Sequence, residues 1–311
     1  MKKKILLIDS CAIFHKKKYN FIKGQIDNII EDSFQEILKI VQQELPNIVV
    51  LCNDPTKSRY RTELLAGYKS GRIAQQKKHT EKEKQAENLV RSLKTNLHLF
   101  EGVFVDGSNW GVEADDMLGM LFNDSRLSEY DIIVSSSDKD LMTVIPFHKI
   151  YDMNKGRYKT IEDCLGFNMS QWLGFQSLAG DATDDIPKLK GVGKGTAFKL
   201  IDRYRSLTEV IKQAPNDYTN EKDRYIKKAL EQIATSEGKE VLKLSFKLVK
   251  IMKDTSLLNQ QELKRYNDIV QNILNFKLQD NIISEELDSY LLESNSFQAS
   301  QILHEIKEYL R

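Results

Sequence analysis

Four short apolar runs recur in the first half of the chain, and each of them ends in an aspartate or a polar turn. They occupy residues 5–8, 48–52, 103–105 and 132–134. Short buried strands that alternate with helices are typical of a parallel sheet in an α/β domain. Between the first two runs, apolar residues recur at helical spacing and predict one apolar helix face: Ile30, Phe34, Ile37, Leu38, Val41 and Leu45. Ligands bind at the carboxyl ends of parallel strands, so the acids are expected at the functional edge of the sheet.

The second half of the chain has a different pattern, because strand signals end near residue 170. Residues 180–195 form a polar stretch with several glycines that leads into a helical pattern. The remainder is predicted to be helical, with a charged, Asn-rich break near residues 213–223. We therefore predict an α/β core over residues 1–175 and a helical region over residues 176–311.

The composition is that of an ordinary globular protein, with 41% apolar and 29% charged residues. No apolar run approaches the roughly 18 residues that a membrane span needs. The three lysines near the start resemble a signal peptide, but the apolar run after them is too short to be one. The three cysteines lack the spacing of a zinc site and fit a reducing compartment. We expect a cytoplasmic protein that does not bind a membrane.

Basic residues are concentrated in two segments, although the net charge of the chain is only +1. Residues 55–100 carry eleven Lys or Arg against four Glu, and residues 186–205 carry six Lys or Arg against one Asp. Solvated helix faces are the commoner explanation, but segregated charge also lets one surface bind a polyanion and another bind metal ions. Residues 70–88 are poor in large apolar side chains and are expected to project from the core as a solvated helix or mobile loop.

The acidic motifs each have an ordinary structural explanation when they are taken singly. Asp54 before Pro55 suits a turn, and the acids at residues 113–116 suit the start of a helix. Taken together, they predict a carboxylate cluster at one edge of the sheet, which is costly because like charges repel. Mg²⁺ relieves that cost because it prefers carboxylate and water ligands. Two such ions, about 3.5–4 Å apart, form a clamp used for phosphodiester hydrolysis.

The order of these motifs resembles the 5′-3′ exonuclease and flap endonuclease family, which includes the exonuclease domain of bacterial DNA polymerase I and stand-alone bacterial and phage enzymes. Six pieces within residues 5–200 are highly specific as an ordered set. They are Leu7-Ile8-Asp9; Asp54 with Arg61 seven residues on; Gly67-Tyr68-Lys69-Ser70-Gly71-Arg72; Glu113-Ala114-Asp115-Asp116; Ser136-Ser137-Asp138-Lys139-Asp140-Leu141; and Gly180-Asp181-Ala182-Thr183-Asp184-Asp185-Ile186-Pro187 leading to Lys190-Gly191-Val192-Gly193-Lys194-Gly195-Thr196-Ala197. The resemblance implies a PIN-like parallel-sheet core and a helical region with a helix–three-turn–helix near residues 180–205. The chain departs from the family at Asp185, where the family often has Asn.

The resemblance also implies which carboxylates hold two metal ions, with Mg²⁺ as the natural ion and Mn²⁺ as a substitute. The first ion is assigned to four acids: Asp9, Asp54, Glu113 and Asp115. The second ion is assigned to five acids: Asp116, Asp138, Asp140, Asp181 and Asp184. Three further acids match nothing in the family and are expected to be structural: Asp106, Asp124 and Asp131.

A lysine and an arginine at the base of a helical arch grip the scissile phosphate in this family. Lys69 and Arg72 occupy those places, and the arch is expected near residues 60–90, with a 5′ single strand passing through or beneath it. Tyr68 is expected either to stack on a base or to pack as an aromatic anchor of the arch. Arg61 is assigned to DNA binding.

The glycine-rich segment resembles the loop of the family's helix–three-turn–helix, which binds duplex DNA, often with a K⁺ ion held by backbone carbonyls. Glycines let the backbone approach a phosphate, and the helix start near Thr196 offers free N–H groups. The residues assigned to DNA binding here are Lys190, Gly191, Gly193, Lys194, Gly195 and Thr196. A nucleotide-binding phosphate loop is disfavoured, since the Gly-Lys-Ser/Thr order is missing and no apolar strand precedes the loop.

The sequence therefore predicts a two-metal nuclease of replication or repair that acts as a monomer on DNA with 5′ single-stranded ends or flaps, including RNA-primed ones. Two alternatives stay open. A PIN-type ribonuclease shares the acid-edged sheet but lacks the Gly-Asp-x-x-Asp loop joined to a glycine-rich helix–turn element. A DNA-binding scaffold that has lost its metals is disfavoured by the intact set of acids.

Overall fold

A six-stranded sheet organises the first half of the chain in the computed structural model, which describes residues 2–54, 56–71, 80–279 and 284–311. The strands are β1 (Lys4–Asp9), β2 (Ile48–Cys52), β3 (Val105–Asp106), β4 (Asp131–Ser135), β5 (Ile150–Asp152) and β6 (Arg157–Tyr158). Their order is β3-β2-β1-β4-β5-β6. All neighbouring pairs are parallel except β5 and β6, which are antiparallel. The predicted parallel sheet is confirmed, and the hairpin of β5 and β6 was not foreseen.

Thirteen α-helices lie within the described residues. They are α1 (Ser10–Ile22), α2 (Ile29–Glu44), α3 (Arg59–Leu64), α4 (Glu81–Thr95), α5 (Ala114–Asn123), α6 (Met169–Ala179), α7 (Lys194–Tyr204), α8 (Leu207–Asp217), α9 (Arg224–Ala234), α10 (Ser236–Val249), α11 (Gln260–Leu274), α12 (Glu285–Glu293) and α13 (Ala299–Leu310). The predicted helical second half is confirmed, since no strand follows β6 in the part of the chain that the structure describes. No helix among those residues combines the length and the apolar character needed to cross a bilayer.

Both faces of the sheet are covered, because alternate side chains of the buried strands point to opposite sides. Leu6 and Ile8 of β1 pack in a cluster with apolar residues of α1, α2, α4, α12 and α13. Ile5 and Leu7 of the same strand pack in a second cluster with α5 and with helices α6 to α11. The helical second half therefore contributes to both faces, and its last helix, α13, packs on α2.

Two local expectations are corrected. Helix α2 ends at Glu44, and Leu45 adopts a left-handed conformation with 60% of its surface exposed, so Leu45 does not belong to the apolar face. The break expected near residues 213–223 begins later, because α8 continues to Asp217 through Pro215. The boundary expected at residue 175 falls inside α6 and stays a prediction.

The segment 70–88 falls only partly within the described residues, since residues 72–79 lie outside them. Thr80 and Glu83 form a capping box at the start of α4. Ala86 and Val90 of α4 are buried in the same cluster as α1 and α2. Helix α4 therefore packs one face on the core from Ala86 onward, whereas residues 81–85 are mostly exposed, as expected of a solvated helix. The arch near residues 60–90 stays a prediction.

Candidate active site

Eight of the nine predicted metal-binding carboxylates line a single cavity of about 830 Å³. Asp9 ends β1, and β2 and β4 end beside it because the three strands are parallel and in register. The cavity therefore lies at the carboxyl edge of the sheet, as the sequence predicted. The eight acids are Asp9, Asp54, Glu113, Asp115, Asp138, Asp140, Asp181 and Asp184.

Ser136 joins the loop after β4 to the end of β1. Its hydroxyl donates to Asp9 Oδ2 at 2.7 Å and accepts from the backbone N–H of Asp138 at 3.0 Å. Asp138 Oδ1 in turn accepts from the backbone N–H of Asp140 at 2.7 Å. The other Asp9 oxygen caps α1, since it accepts from Ala12 N at 2.9 Å. Backbone and hydroxyl donors thus fix the directions of these carboxylates.

Lysine side chains contact three other acids of the cavity. Lys69 Nζ lies 2.6 Å from Glu113 Oε1 and 3.8 Å from Asp184 Oδ2. Lys94 Nζ, from the end of α4, lies 2.8 Å from Asp54 Oδ1. Both lysines are largely buried, so these ion pairs are less screened than surface pairs. Arg61, which lines the cavity, adds a third contact, since its Nη1 lies 3.4 Å from Glu113 Oε2. Buried cations therefore offset part of the negative charge of the acids.

Burial disfavours the ionised form of several of these acids. It raises the pKa of Asp9 to about 6 and, together with the charge of Asp138, the pKa of Asp140 to about 7. Burial also raises the pKa of Asp115, and the charges of Asp138 and Asp9 add to the effect. For Asp54, burial is the largest influence and acts in the same direction, but Lys94 and the hydrogen bond from the Cys11 thiol together hold the pKa below its usual value. A bound cation would favour the ionised form of every carboxylate it contacts.

The donor set fits hard divalent cations, because all eight acids offer carboxylate oxygens and none of the predicted ligands is a thiol or an imidazole. Within the described residues, no group of three His, Cys, Asp or Glu side chains is arranged to hold a metal ion as it stands. Protein donors instead occupy oxygens of Asp9, Asp54 and Glu113. Metal binding to this set would therefore require Lys69 and Lys94 to move or to share their carboxylates.

Asp116 is the one predicted ligand that does not line the cavity, and Arg61 is not free to bind DNA. Asp116 is fully buried, and its Oδ1 accepts from Arg61 Nη2 at 2.9 Å and from Met252 N at 2.9 Å. Arg61 also donates to the carbonyls of Leu248 at 2.8 Å and Lys250 at 3.1 Å. We correct both assignments: these residues form a buried ion pair that ties α3 and α5 to the end of α10.

Tyr68 packs as an aromatic anchor, so the base-stacking alternative is wrong for this structure. Its ring is 2% exposed and packs with Ile186 and Leu248, and its hydroxyl donates to Glu113 Oε2 at 3.1 Å. Lys69 follows in the left-handed conformation (φ +55°), which turns its side chain into the cavity. Arg72, the second predicted phosphate ligand, lies outside the described residues.

The glycine-rich loop precedes α7, which begins at Lys194, so Thr196 lies in the first turn and not before it. A Cβ atom added at Gly191, Gly193 or Gly195 would have no heavy atom within 4 Å. Only Gly191 has a positive φ, of +78°, so packing and backbone strain do not require glycine at the other two positions. Open space on this side of the loop leaves room for a ligand to approach the backbone.

The side chain of Gln232 holds this loop in place. Its Nε2 donates to the carbonyl of Lys190 at 3.0 Å, and its Oε1 accepts from the N–H of Lys190 at 3.1 Å. The side chains of Lys190 and Lys194 are exposed, and Lys194 also lines the cavity. The loop and the acids therefore border the same space.

The three acids expected to be structural all have protein partners. Asp106 pairs with Arg265 at 3.1 Å, Asp131 pairs with Lys149 at 2.6 Å, and Asp124 accepts from the hydroxyl of Tyr266 at 2.7 Å. None of the three lines the acidic cavity.

Sequence reasoning missed several residues that shape the site. Ser136 lies inside a recognised motif, but nothing in the motif indicates that it binds Asp9. Lys94 contacts Asp54 across 40 residues, and Asp185 accepts from Gly71 N at 2.9 Å across 114 residues. Such partners are determined by the packing of α4 and of the loop after α6, which no local pattern reveals.

An acid-lined edge of a parallel sheet, next to a helical region with an open glycine loop, defines the class of PIN-like nuclease cores. Family models agree: "5'-3' exonuclease, N-terminal resolvase-like domain" matches residues 4–165, and "5'-3' exonuclease, C-terminal SAM fold" matches residues 167–272. The chain therefore belongs to the 5′-3′ exonuclease family.

Relatives of known name agree with this family. A 5′-3′ exonuclease of Mycoplasmopsis pulmonis is 26% identical over 298 residues, which is 92% of this chain and 90% of that protein. DNA polymerase I of Deinococcus radiodurans is 28% identical over 219 residues, which is 68% of this chain. The chain spans only 22% of that polymerase.

Solved structures share the fold. The flap endonuclease of bacteriophage T5, in a complex with DNA and metal ions, superposes with a TM-score of 0.70 at 21% identity, covering 86% of this chain and 98% of that one. The T5 5′-exonuclease with bound zinc ions gives a TM-score of 0.71 at 22% identity, covering 86% of this chain and 99% of that one. The predicted core with a helical second region is confirmed by this likeness.

Proposed function

We propose that the chain hydrolyses phosphodiester bonds in DNA, as a 5′-3′ exonuclease and a 5′-flap endonuclease that depends on two Mg²⁺ ions. The observation that carries the proposal is the convergence of eight carboxylates and Lys69 on one cavity. Bound divalent ions would supply an activated water and neutralise charge on the phosphate. We assign Asp9, Asp54, Glu113 and Asp115 to one ion, and Asp138, Asp140, Asp181 and Asp184 to the other.

Protein side chains would position the acids, the scissile phosphate and the duplex. Ser136 binds both the Asp9 carboxylate and the N–H of Asp138, so it fixes the position of one group of acids relative to the other. Lys69 lies among the acids, where its ammonium group could turn from Glu113 to a phosphate as negative charge develops. Arg72 is proposed as its partner. The exposed lysines of the glycine loop would hold the duplex next to the cavity.

The remaining parts of the proposal concern the substrate. The glycine loop would bind backbone phosphates of duplex DNA, with K⁺ as the ion at its carbonyls, and an arch near residues 60–90 would admit a 5′ single strand. The protein would act as a monomer inside the cytoplasm, in replication or repair, on ends that include RNA primers. We also propose the division into a core of residues 1–175 and a DNA-binding region of residues 176–311.

A cleavage assay tests the proposal against its two alternatives. A 5′-flap DNA and a single-stranded RNA of matched sequence are incubated with the protein in Mg²⁺, Mn²⁺ or EDTA. We expect metal-dependent cleavage at the flap junction and little cleavage of the RNA. Preferred cleavage of the RNA would favour a PIN-type ribonuclease, and tight DNA binding without cleavage in either metal would favour a scaffold.

A further inference from the structure

The hairpin that sequence reasoning missed places a buried lysine directly behind the second group of acids. Lys159 follows β6 and is 2% exposed, and Asp152 at the end of β5 is 3% exposed. Lys159 Nζ lies 2.9 Å from Asp152 Oδ2, and it also donates to the carbonyl of Ser137 at 2.9 Å. Ser137 immediately precedes Asp138 and lines the cavity.

Stability alone is a poor explanation for this pair. Each buried ion loses several kcal/mol of hydration, and apolar side chains of similar volume often replace such pairs without loss of stability. Hydrogen bonds fix the orientation of the Asp152 carboxylate. Its Oδ1 accepts from the N–H groups of Asn154 and Lys155, and its Oδ2 accepts from Lys159. The pair therefore presents one ammonium group, in a fixed position, to one backbone carbonyl.

That carbonyl belongs to the loop on which the acids depend. Ser136 N donates to the carbonyl of Tyr151 in β5 at 3.0 Å, and the Ser136 hydroxyl contacts both Asp9 and the N–H of Asp138. The hairpin thus binds the loop at two successive residues, Ser136 through its backbone N–H and Ser137 through its carbonyl. Without the second bond, the backbone next to Asp138 would lose a fixed partner.

We propose that Lys159 is a positioning residue that holds the loop after β4 so that Asp138 and Asp140 are pre-arranged for a metal ion; the inference rests on the proposed function. Lys159 does not line the cavity. It acts through the Ser137 carbonyl, to which its ammonium group donates at 2.9 Å. Partners of this kind, one step behind the ligands, are typically worth about 10- to 100-fold in metal affinity.

The test removes the hydrogen bond to Ser137 without leaving a buried charge unpaired. Lys159→Met alone would leave Asp152 buried and unpaired, so the informative protein is the neutral double variant Asp152→Asn/Lys159→Met, in which Asn can still accept from the turn. Lys149→Met is the matched control, because Lys149 pairs with Asp131 at the opposite end of β4. Thermal unfolding is recorded for each protein.

Mn²⁺ is titrated into the DNA-free proteins, with free ion measured by electron paramagnetic resonance, and flap cleavage is measured against Mg²⁺ concentration. We expect the double variant to melt near the wild type, to bind the weaker of two Mn²⁺ ions about tenfold less tightly, and to need correspondingly more Mg²⁺. The control should match the wild type in both measurements. Unchanged or tighter Mn²⁺ binding by a folded double variant overturns the inference.

Failure of the proposed function and failure of this inference give different results. A wild-type protein that neither binds Mn²⁺ nor cleaves DNA would refute the proposed function, whereas a failed inference leaves wild-type binding and cleavage intact. If the double variant does not fold, amide hydrogen exchange of residues 136–140 is measured in the wild type in EDTA. Protected amides support a loop that is held before any ion binds, and exchange at the rate of an unfolded peptide refutes it.

Discussion

The acid-lined cavity and the glycine loop border the same space but are built in opposite ways. In the cavity, Asp9, Asp54 and Glu113 are each held by protein donors within 3.1 Å. In the loop, a Cβ atom added at Gly193 or Gly195 would have no heavy atom within 4 Å, and the Gln232 side chain binds the backbone of Lys190. The cavity is arranged by the protein itself, whereas the loop leaves space for a partner.

This contrast has an energetic reason. Clustered buried carboxylates repel one another, so their positions have to be enforced by many hydrogen bonds and ion pairs. A loop that contacts a phosphate backbone needs exposed N–H groups and lysines, and these are satisfied by water until the partner arrives. Substitutions in the cavity should therefore change stability and the rate of cleavage, whereas substitutions in the loop should change the affinity for DNA.

The largest effect is expected at Arg61, which is buried at the wall of the cavity. Arg61→Met would leave Asp116 buried without its partner, which should lower the free energy of unfolding by about 3–5 kcal/mol. Arg205→Met, which removes a surface pair with Asp202, is the control and should change it by less than about 0.5 kcal/mol. Chemical denaturation measures both. A small loss for Arg61→Met, with weakened DNA binding, would restore Arg61 to the DNA-binding surface.

The next effect concerns the chemistry. Asp138→Asn should slow Mg²⁺-dependent cleavage at least about 100-fold, because partners that only support a metal ligand are already worth 10- to 100-fold. Duplex binding in Ca²⁺ or EDTA should survive, since the duplex contacts are assigned to the glycine loop and not to this acid. Asp131→Asn, at the other end of β4, is the control and should cleave normally. Near-normal cleavage by Asp138→Asn would exclude Asp138 as a metal ligand.

Lys69→Ala should separate the chemical step from binding. We expect the single-turnover rate to fall about 10- to 100-fold while the dissociation constant changes little, because the ammonium charge matters most when the phosphate becomes more negative. Lys149→Ala is the control, since Lys149 lies outside the proposed arch and pairs with Asp131 at the end of β4 away from the acids. An unchanged single-turnover rate with a raised dissociation constant would make Lys69 a docking residue.

Gly193→Ala tests the open space in the loop directly. Gly193 has a φ of −107°, which alanine adopts without strain, and its Cβ would meet no protein atom. Stability should stay within about 0.5 kcal/mol of the wild type, whereas duplex affinity should fall about tenfold if a phosphate lies there. Equal affinity for the two proteins would show that no ligand approaches this part of the backbone.

The smallest effect is expected at Lys194, and it is a change in salt dependence. Lys194→Ala should weaken binding alike for different DNA sequences and flatten the salt slope by about one unit, because one fewer phosphate is neutralised. Titrations of a flap duplex in Ca²⁺ at several KCl concentrations measure the slope. Lys212→Ala, an exposed lysine of α8, is the control. Parallel plots with equal intercepts would remove Lys194 from the binding surface.

Local patterns in the sequence determined a large part of this protein. The apolar runs at residues 5–8, 48–52 and 132–134 became β1, β2 and β4, and the register of those strands brought their acids to one edge. Strand burial and helical spacing are repetitive, so a short window of sequence contains them. The ordered motifs also gave the family, because that resemblance depends on residue identity and not on contacts.

Only the tertiary structure decided what each charged residue does. Asp115 and Asp116 are neighbours in one motif, yet Asp115 lines the cavity while Asp116 is turned to Arg61, because successive residues on a helix point in different directions. Lys159 and Lys94 gave no signal, since their partners lie on other elements. A charge in a sequence has no assigned partner until the chain has folded, and burial and distance then decide whether it binds, positions or stabilises.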